Sequence, residues 1–203
     1  LRTALEGDGM RVFEAETLQR GLLEAATTAG KQVTMQLNSG WYLYGFFKGA
    51  GYTCSLGEDK TSTLCDWNTT GGTDVAQAIL DITANPAFIN LDDAAFVTGV
   101  QEGTIVAGVN GSWNAGTIQT AWGDNYATAK LPTFTLNGAE VQMGSFDGYK
   151  LVGVNAYSPN VGWAMRLAEW LTNEANQIYL YEATNGSAVP SNVNAAASES
   201  VQS

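Results

Sequence analysis

Residues 104–114, Thr-Ile-Val-Ala-Gly-Val-Asn-Gly-Ser-Trp-Asn, set an apolar run of strand length ahead of a small-residue turn and then put Trp113 and Asn114 forward. Such a run reads as a core strand, here the central one of its sheet, feeding a loop. In open α/β sheets ligands sit beyond the carboxyl ends of strands, so Trp113 is the first candidate for touching one. The competing reading is a tryptophan that is simply packed, the commoner fate of this side chain.

The remaining composition narrows the chemistry. With 203 residues and 45% apolar content the chain has ample material for a packed core. Nine basic against 20 acidic residues give a formal charge of −11, which leaves no footprint for holding phosphates. Nucleic acid and anionic membrane surfaces are therefore poor partners. No stretch reaches the roughly 18 consecutive apolar residues of a membrane span, and residues 1–20 lack the pattern of a signal peptide. A secretion signal, if the protein is exported, is expected outside this chain.

Histidine is absent from the sequence, which removes imidazole acid–base chemistry, histidine triads and histidine-ligated zinc. Two cysteines do not make a four-cysteine metal site, and no metal or cofactor is expected. Cys54 and Cys65 flank a polar stretch with turn residues at its middle, a pattern suited to a hairpin closed by a disulfide in an oxidising compartment. Two reduced thiols are the alternative. Asn-x-Ser/Thr sequons stand at Asn68, Asn110 and Asn185, a number that chance accounts for.

Helical spacing of Leu18, Leu22, Ala25 and Ala26 predicts a helix from Ala15 to Ala29 with its stop at Gly30, and residues 1–13 are a leading segment of undetermined structure. Val33–Leu37 alternates as a strand, Asn38-Ser-Gly breaks it, and Trp41–Phe47 follows as an aromatic helix. Trp41 and Tyr42 thus stand beside a strand's carboxyl end, either lining a cleft or facing the core. A helix capped by Thr73 or Asp74, with Gln77 completing a capping box, is expected to end at Asn85-Pro86. A second begins near Asn90-Leu-Asp-Asp, buries Phe96, Val97 and Val100, and stops at Gly103. Further on come a short helix at Ala115–Ala121, a strand at Ala129–Phe134, a tight turn at Asn137-Gly138 and a strand at Lys150–Asn155. Helices follow at Val161–Leu171 and Asn173–Ala183, with a turn at Asn185-Gly186. This order predicts an α/β fold with a mixed sheet and flanking helices.

No G-x-S-x-G elbow, P-loop or dinucleotide fingerprint occurs. A glycosidase needs only two carboxylates, one in an apolar setting. Asp66, Asp92, Asp93, Asp124 and Asp147 are available, but nothing in the sequence pairs them across a cleft, and caps, turns or solvated surface account for them. The chain is not expected to be an enzyme.

Val97–Asn114, Lys130–Phe134 and Gly144–Asn160, in that order, resemble the maltose/maltodextrin type of extracellular solute-binding protein, the receptor of ABC sugar importers, especially its Gram-positive lipoprotein branch. Lys31–Phe47 and the turn Val189-Pro190-Ser191 agree more loosely. The resemblance implies one main lobe of a periplasmic-binding-protein-like (class II) fold. Residues 1–20 match nothing in the family, 21–155 form the ligand-binding lobe, and 156–203 are helices that in the family pack on the other lobe. It further implies a cleft for a linear oligosaccharide, Trp113 as stacking platform, Trp41 and Tyr42 in the aromatic cluster, and Asn38 and Asn114 as hydroxyl partners. The implied partners are an oligosaccharide and a membrane permease, and the implied location is extracellular or periplasmic, with any lipoprotein anchor outside this chain. The family's first lobe has no counterpart here, so the chain reads as the receptor component or a fragment of it: a piece of a longer receptor, a split receptor whose first lobe another chain supplies, or a reduced receptor. The rival readings are a glycoside hydrolase fragment and a structural or interaction domain without a small ligand.

Overall fold

The computed structural model describes residues 18–146, 148–184, 186 and 188–202. The start of the first expected helix, the leading segment and Asn185 lie outside them. The chain divides into two compact units, Leu1–Phe146 and Asp147–Ser203. The boundary expected at 155 therefore falls inside the second unit.

In the first unit a π-helical segment, Leu18–Leu23, runs into α1, Glu24–Ala29, which ends at Gly30 with a left-handed φ of 63°. Strand β1, Gln32–Met35, leads to helix α2, Gly40–Gly49, and to the ribbon of β2, Cys54–Leu56, and β3, Thr63–Cys65. Helix α3, Thr70–Thr83, precedes strand β4, Phe88–Ile89; helix α4, Asp93–Gln101, precedes strand β5, Ile105–Val109. A 3₁₀ turn, Ser112–Asn114, opens α5, Ala115–Trp122, and a second ribbon pairs β6, Thr133–Leu136, with β7, Ala139–Gln142.

The three longer-range strands form a parallel sheet in the order β4-β1-β5, while both ribbons are antiparallel. The molecule is thus α/β, with parallel and antiparallel pairing held in separate sheets and helices around them. β1 is central and is buried at Val33, Thr34 and Met35. β5, expected at the centre, lies at an edge and is fully buried only at Ile105. The physical reason is that its Val-Ala-Gly-Val portion presents little volume to a second packed face, whereas β1 has neighbours on both sides. Because all three strands run the same way, the turn at 36–39, the connection at 90–92 and the loop at 110–114 share one edge.

The core is built on Phe46, Phe134, Leu18, Leu23, Ile82, Val33 and Val75, with Phe46 and Phe134 meeting edge to face at 5.0 Å. Phe96, Val100 and Ile105 form a second cluster where α4 and α5 meet β5. Asn137 and Gly138 take φ values of 50° and 81°, the double left-handed turn that fits the twist of a two-residue hairpin.

Other expectations are corrected. Helix α3 begins before Asp74, since Thr69 is the cap and accepts from the Gly72 amide at 3.1 Å. A Cβ at Gly72, in the first turn of this helix, would collide with the Trp67 carbonyl, so the glycine serves close packing. Gln77 reaches Asp81 rather than completing a box. The strand expected at Ala129–Phe134 starts only after Pro132, which has no N–H to give a ladder. Lys150–Asn155 joins no ladder among the described residues; with Leu151 91% exposed there is no buried face to hold it.

Cys54 and Cys65 stand directly opposite one another across β2 and β3, but as free, exposed thiols rather than the expected bond. Backbone bonds at the flanking pairs, Gly57 to Ser62 at 2.8 Å and Asp66 to Thr53 at 3.3 Å, make this a non-hydrogen-bonded pair by alternation. That is the closer of the two antiparallel pairings, and its usual Cα separation lies within disulfide reach.

The second unit contains α6, Val161–Thr172, α7, Glu174–Ala183, and the short helices α8, Val193–Ala196, and α9, Glu199–Gln202. The Asn173 side chain caps α7 by accepting the Asn176 amide, and the Gln177 side-chain Oε1 accepts from the Ser191 and Asn192 amides. No residue of α6 or α7 is buried, and Trp163, Met165, Leu167, Trp170 and Tyr179 are exposed. Their helical apolar spacing therefore finds no core within this unit. Among the described residues no helix is long and apolar enough to cross a membrane.

Candidate ligand-binding site

The shared carboxyl edge of β4, β1 and β5 gathers most of the candidates. At its centre is Asp93. Asp92 caps α4 by accepting from the Ala95 amide at 2.9 Å, which leaves the adjacent Asp93 carboxylate for other partners. Its Oδ2 accepts the Trp113 indole N–H at 2.7 Å, and its Oδ1 accepts the Asn110 side-chain amide at 2.9 Å and, at a longer 3.4 Å, the Tyr42 hydroxyl. Asn110 Oδ1 in turn accepts from the Gly111 amide and the Asn114 side chain, both at 2.8 Å. The two loops on which the candidates sit are thus tied together on one side of the sheet.

Trp113 is 58% exposed while its N–H is fixed. The six-membered edge of its indole lies against the Cα of Gly111, where a Cβ would collide with the ring. Tyr42 differs from the expectation of a cleft-lining ring. It is 8% exposed, its ring packs in the core, and only its hydroxyl reaches the loop. Burial raises its pKa, the Asp93 charge and hydrogen bond raise it further, and the Gly111 backbone partly offsets them. At neutral pH it is a neutral phenol donating to a carboxylate.

Trp41 is 51% exposed and stacks on Phe146 at 4.2 Å and 23°, and Phe146 stacks on Tyr44 at 4.5 Å. Behind them Trp67 lies flat on Phe47 at 4.1 Å and 7°. An aromatic ladder therefore leads from the core to the exposed Trp41. Asn38 is exposed in the turn after β1, whose Leu37 amide is held by the Asn90 side chain at 3.0 Å. Asn114 is half-buried with its amide nitrogen committed to Asn110.

Sequence reading missed Asp93, Asn110 and Phe146. The doubled Asp92-Asp93 was the available signal, since one carboxylate suffices to cap a helix. Asn110 read only as a sequon, and nothing local marked Phe146. Among the described residues no group of three metal-ligating side chains occurs.

The sequence pattern of the bacterial extracellular solute-binding proteins matches residues 16–203. The chain belongs to that family. A solved protein with acarbose is similar over 96% of this chain and 50% of its own, with a TM-score of 0.80 and 29% identity. The maltodextrin-binding protein MalE1 from L. casei BL23, solved without ligand, is similar over 99% of this chain and 50% of its own, with a TM-score of 0.72 and 23% identity, a likeness of fold. The galactooligosaccharide-binding protein of Bacillus subtilis is 41% identical over 83 residues, covering 41% of this chain and 19% of that protein. A shorter match, 76% identical over 37 residues, is to the KDP operon transcriptional regulatory protein KdpE of Escherichia coli, and it covers 18% of this chain and 16% of that protein. This solute-binding chain thus spans about half the length of the solved structures it matches, and its matches cover under a fifth of these curated relatives.

Proposed function

We propose that this solute-binding chain takes a linear oligosaccharide of the maltodextrin type, as the receptor component, or a fragment of it, of an ABC sugar importer. The observation that carries the reading is Trp113, an indole more than half exposed yet anchored by a charge-assisted hydrogen bond at the carboxyl edge of a parallel sheet. Sugar rings offer apolar C–H faces to an aromatic plane and hydroxyl rims to amides and carboxylates. Trp41, backed by Phe146, supplies a second plane, and Asn38 and Asn114 supply rim partners. Tyr42 acts through its hydroxyl.

Oligosaccharides also figure in the names of the similar proteins: acarbose, maltodextrin and galactooligosaccharide. The partners that go with the reading are a membrane permease and the family's first lobe, which covers the exposed apolar residues of α6 and α7. An extracellular or periplasmic site of action goes with it. In such an oxidising place Cys54 and Cys65 form a disulfide, oxidised glutathione taking up the electron pair and both protons as it becomes two thiols.

Among the described residues, three of the carboxylates a hydrolase could draft are already engaged. Asp93 is filled by donors, Asp66 holds the Thr53 amide at 2.7 Å and Asp92 caps a helix. A panel of maltotriose, longer α-glucans and galactooligosaccharides, followed by tryptophan fluorescence and by chromatography of the sugars, tests the proposal. Saturable quenching with sugars recovered intact is expected. Shorter sugars appearing in the chromatogram favour a hydrolase instead, and an unresponsive fluorescence across the panel favours a domain without a small ligand.

A further inference from the structure

We propose that Asp93 and Gly111 are positioning residues that hold the Trp113 indole in one orientation before any sugar arrives. The inference rests on the reading of Trp113 as a stacking platform and adds how the platform is kept in place.

Three donors from three different elements converge on one carboxylate: the indole of Trp113, the amide of Asn110 at the end of β5 and the hydroxyl of Tyr42 in α2. Asp93 is the first residue of α4, where any acidic residue is favoured by the helix dipole. The dipole alone does not account for its contacts, because Asp92 is the residue that caps that end, accepting the Ala95 amide, and Asp93 turns to the neighbouring loops. Only a carboxylate offers acceptors on both oxygens; an asparagine would present an N–H to one of these donors.

Gly111 contributes by what it lacks. Its backbone sits at φ −78° and ψ 155°, which any residue adopts, so the glycine is not there for conformational freedom. The ring of Trp113 instead occupies the space a Cβ would take. A side chain there pushes the indole off its seat, while loss of Asp93 releases its N–H. An aromatic ring free to swing loses its rotamer freedom on binding, which an anchored one has already lost.

The test uses the whole 203-residue chain in wild-type form and as D93A, D93N, G111A and W113F. Maltotriose is titrated by calorimetry, melting temperatures are recorded, and the indole N–H of Trp113, assigned as the signal missing from W113F, is followed by ¹H–¹⁵N NMR. In D93A the signal is expected to move and exchange faster with water, and affinity to fall about tenfold, equivalent to about 1.4 kcal/mol. D93N lies between D93A and wild type, since one acceptor remains. G111A shifts the ring signals and weakens binding with little change in melting temperature. An indole signal unmoved in D93A overturns the anchoring, and a moved signal with unchanged affinity overturns its role in binding. Absence of maltotriose binding by the wild type overturns the platform reading itself and the binding role with it, an outcome distinct from the first because the NMR comparison needs no sugar.

Discussion

Trp113 is where two demands separate. More than half of its surface is in solvent, so it adds little to the core, while its indole N–H and its seat on Gly111 fix where it stands. Trp113→Ala is therefore expected to cost under about 1 kcal/mol of stability by thermal melting, since a surface residue of this kind leaves no cavity. A core tryptophan would lose about 3 to 5 kcal/mol. Tyr42 gives the opposite case, a buried ring whose hydroxyl alone reaches the site. Its folded pKa lies above the ordinary tyrosine value of about 10, so its contribution to stability is complete below that pH and is lost as pH rises through the folded value. Ultraviolet titration of wild type against Y42F should show one tyrosine ionising late, and D93N should bring it back toward the ordinary value. A titration identical in wild type and D93N would detach Tyr42 from Asp93. The placement of Trp113 and Trp41 beside strand ends was readable in the sequence, because strand ends and their small-residue turns are local signals, whereas the burial of the Tyr42 ring was not. Asp93's part was not, since its three partners come from positions 42, 110 and 113 and only the parallel sheet brings them together.

At the scale of elements, short-range chemistry was the most legible. The Asn137-Gly138 turn, the Gly30 stop and the hairpin between the cysteines follow from backbone preferences of a few residues. Order within the sheet did not, because β1 and β5 are both apolar runs and pairing alone decides which is central. Phe134 in β6 and Phe46 in α2 close the core edge to face with no exposed surface. Phe134→Ala is expected to destabilise by about 3 to 5 kcal/mol in denaturant titration, the cost of a buried aromatic cavity. A loss under about 1 kcal/mol would mean that β6 does not pack as described. The cysteine ribbon carries a second expectation. After incubation with oxidised glutathione, mass spectrometry without reductant should find Cys54 bonded to Cys65, with stability raised by roughly 2 to 3 kcal/mol for a loop of this length. Both thiols remaining open to alkylation would contradict it. Local loss of solvation at the pair, with the Cys65 hydrogen bond and charge and the Asp66 charge, raises the Cys54 thiol's pKa, so the bond should form faster as pH increases toward the thiolate.

For the whole molecule, the first unit supplies its own core and the edge on which the candidates gather, whereas α6 and α7 bury nothing within theirs. Spacing of Trp163, Met165 and Trp170 predicted helices correctly, but periodicity states only that a face is apolar and not what covers it. Both features are compatible with membership of the solute-binding family. Because this chain spans about half of the solved structures it resembles, binding by it alone is the claim most exposed to test. The direct measurement is calorimetric titration of maltotriose into wild type and Trp113→Ala, with melting temperatures taken on the same samples. The account predicts saturable heat for the wild type and, for the variant, affinity about 30-fold weaker or less measurable still, the factor corresponding to about 2 kcal/mol at a binding hot spot, with melting nearly unchanged. Equal affinity in the two proteins, together with a large fall in the variant's melting temperature, would contradict it.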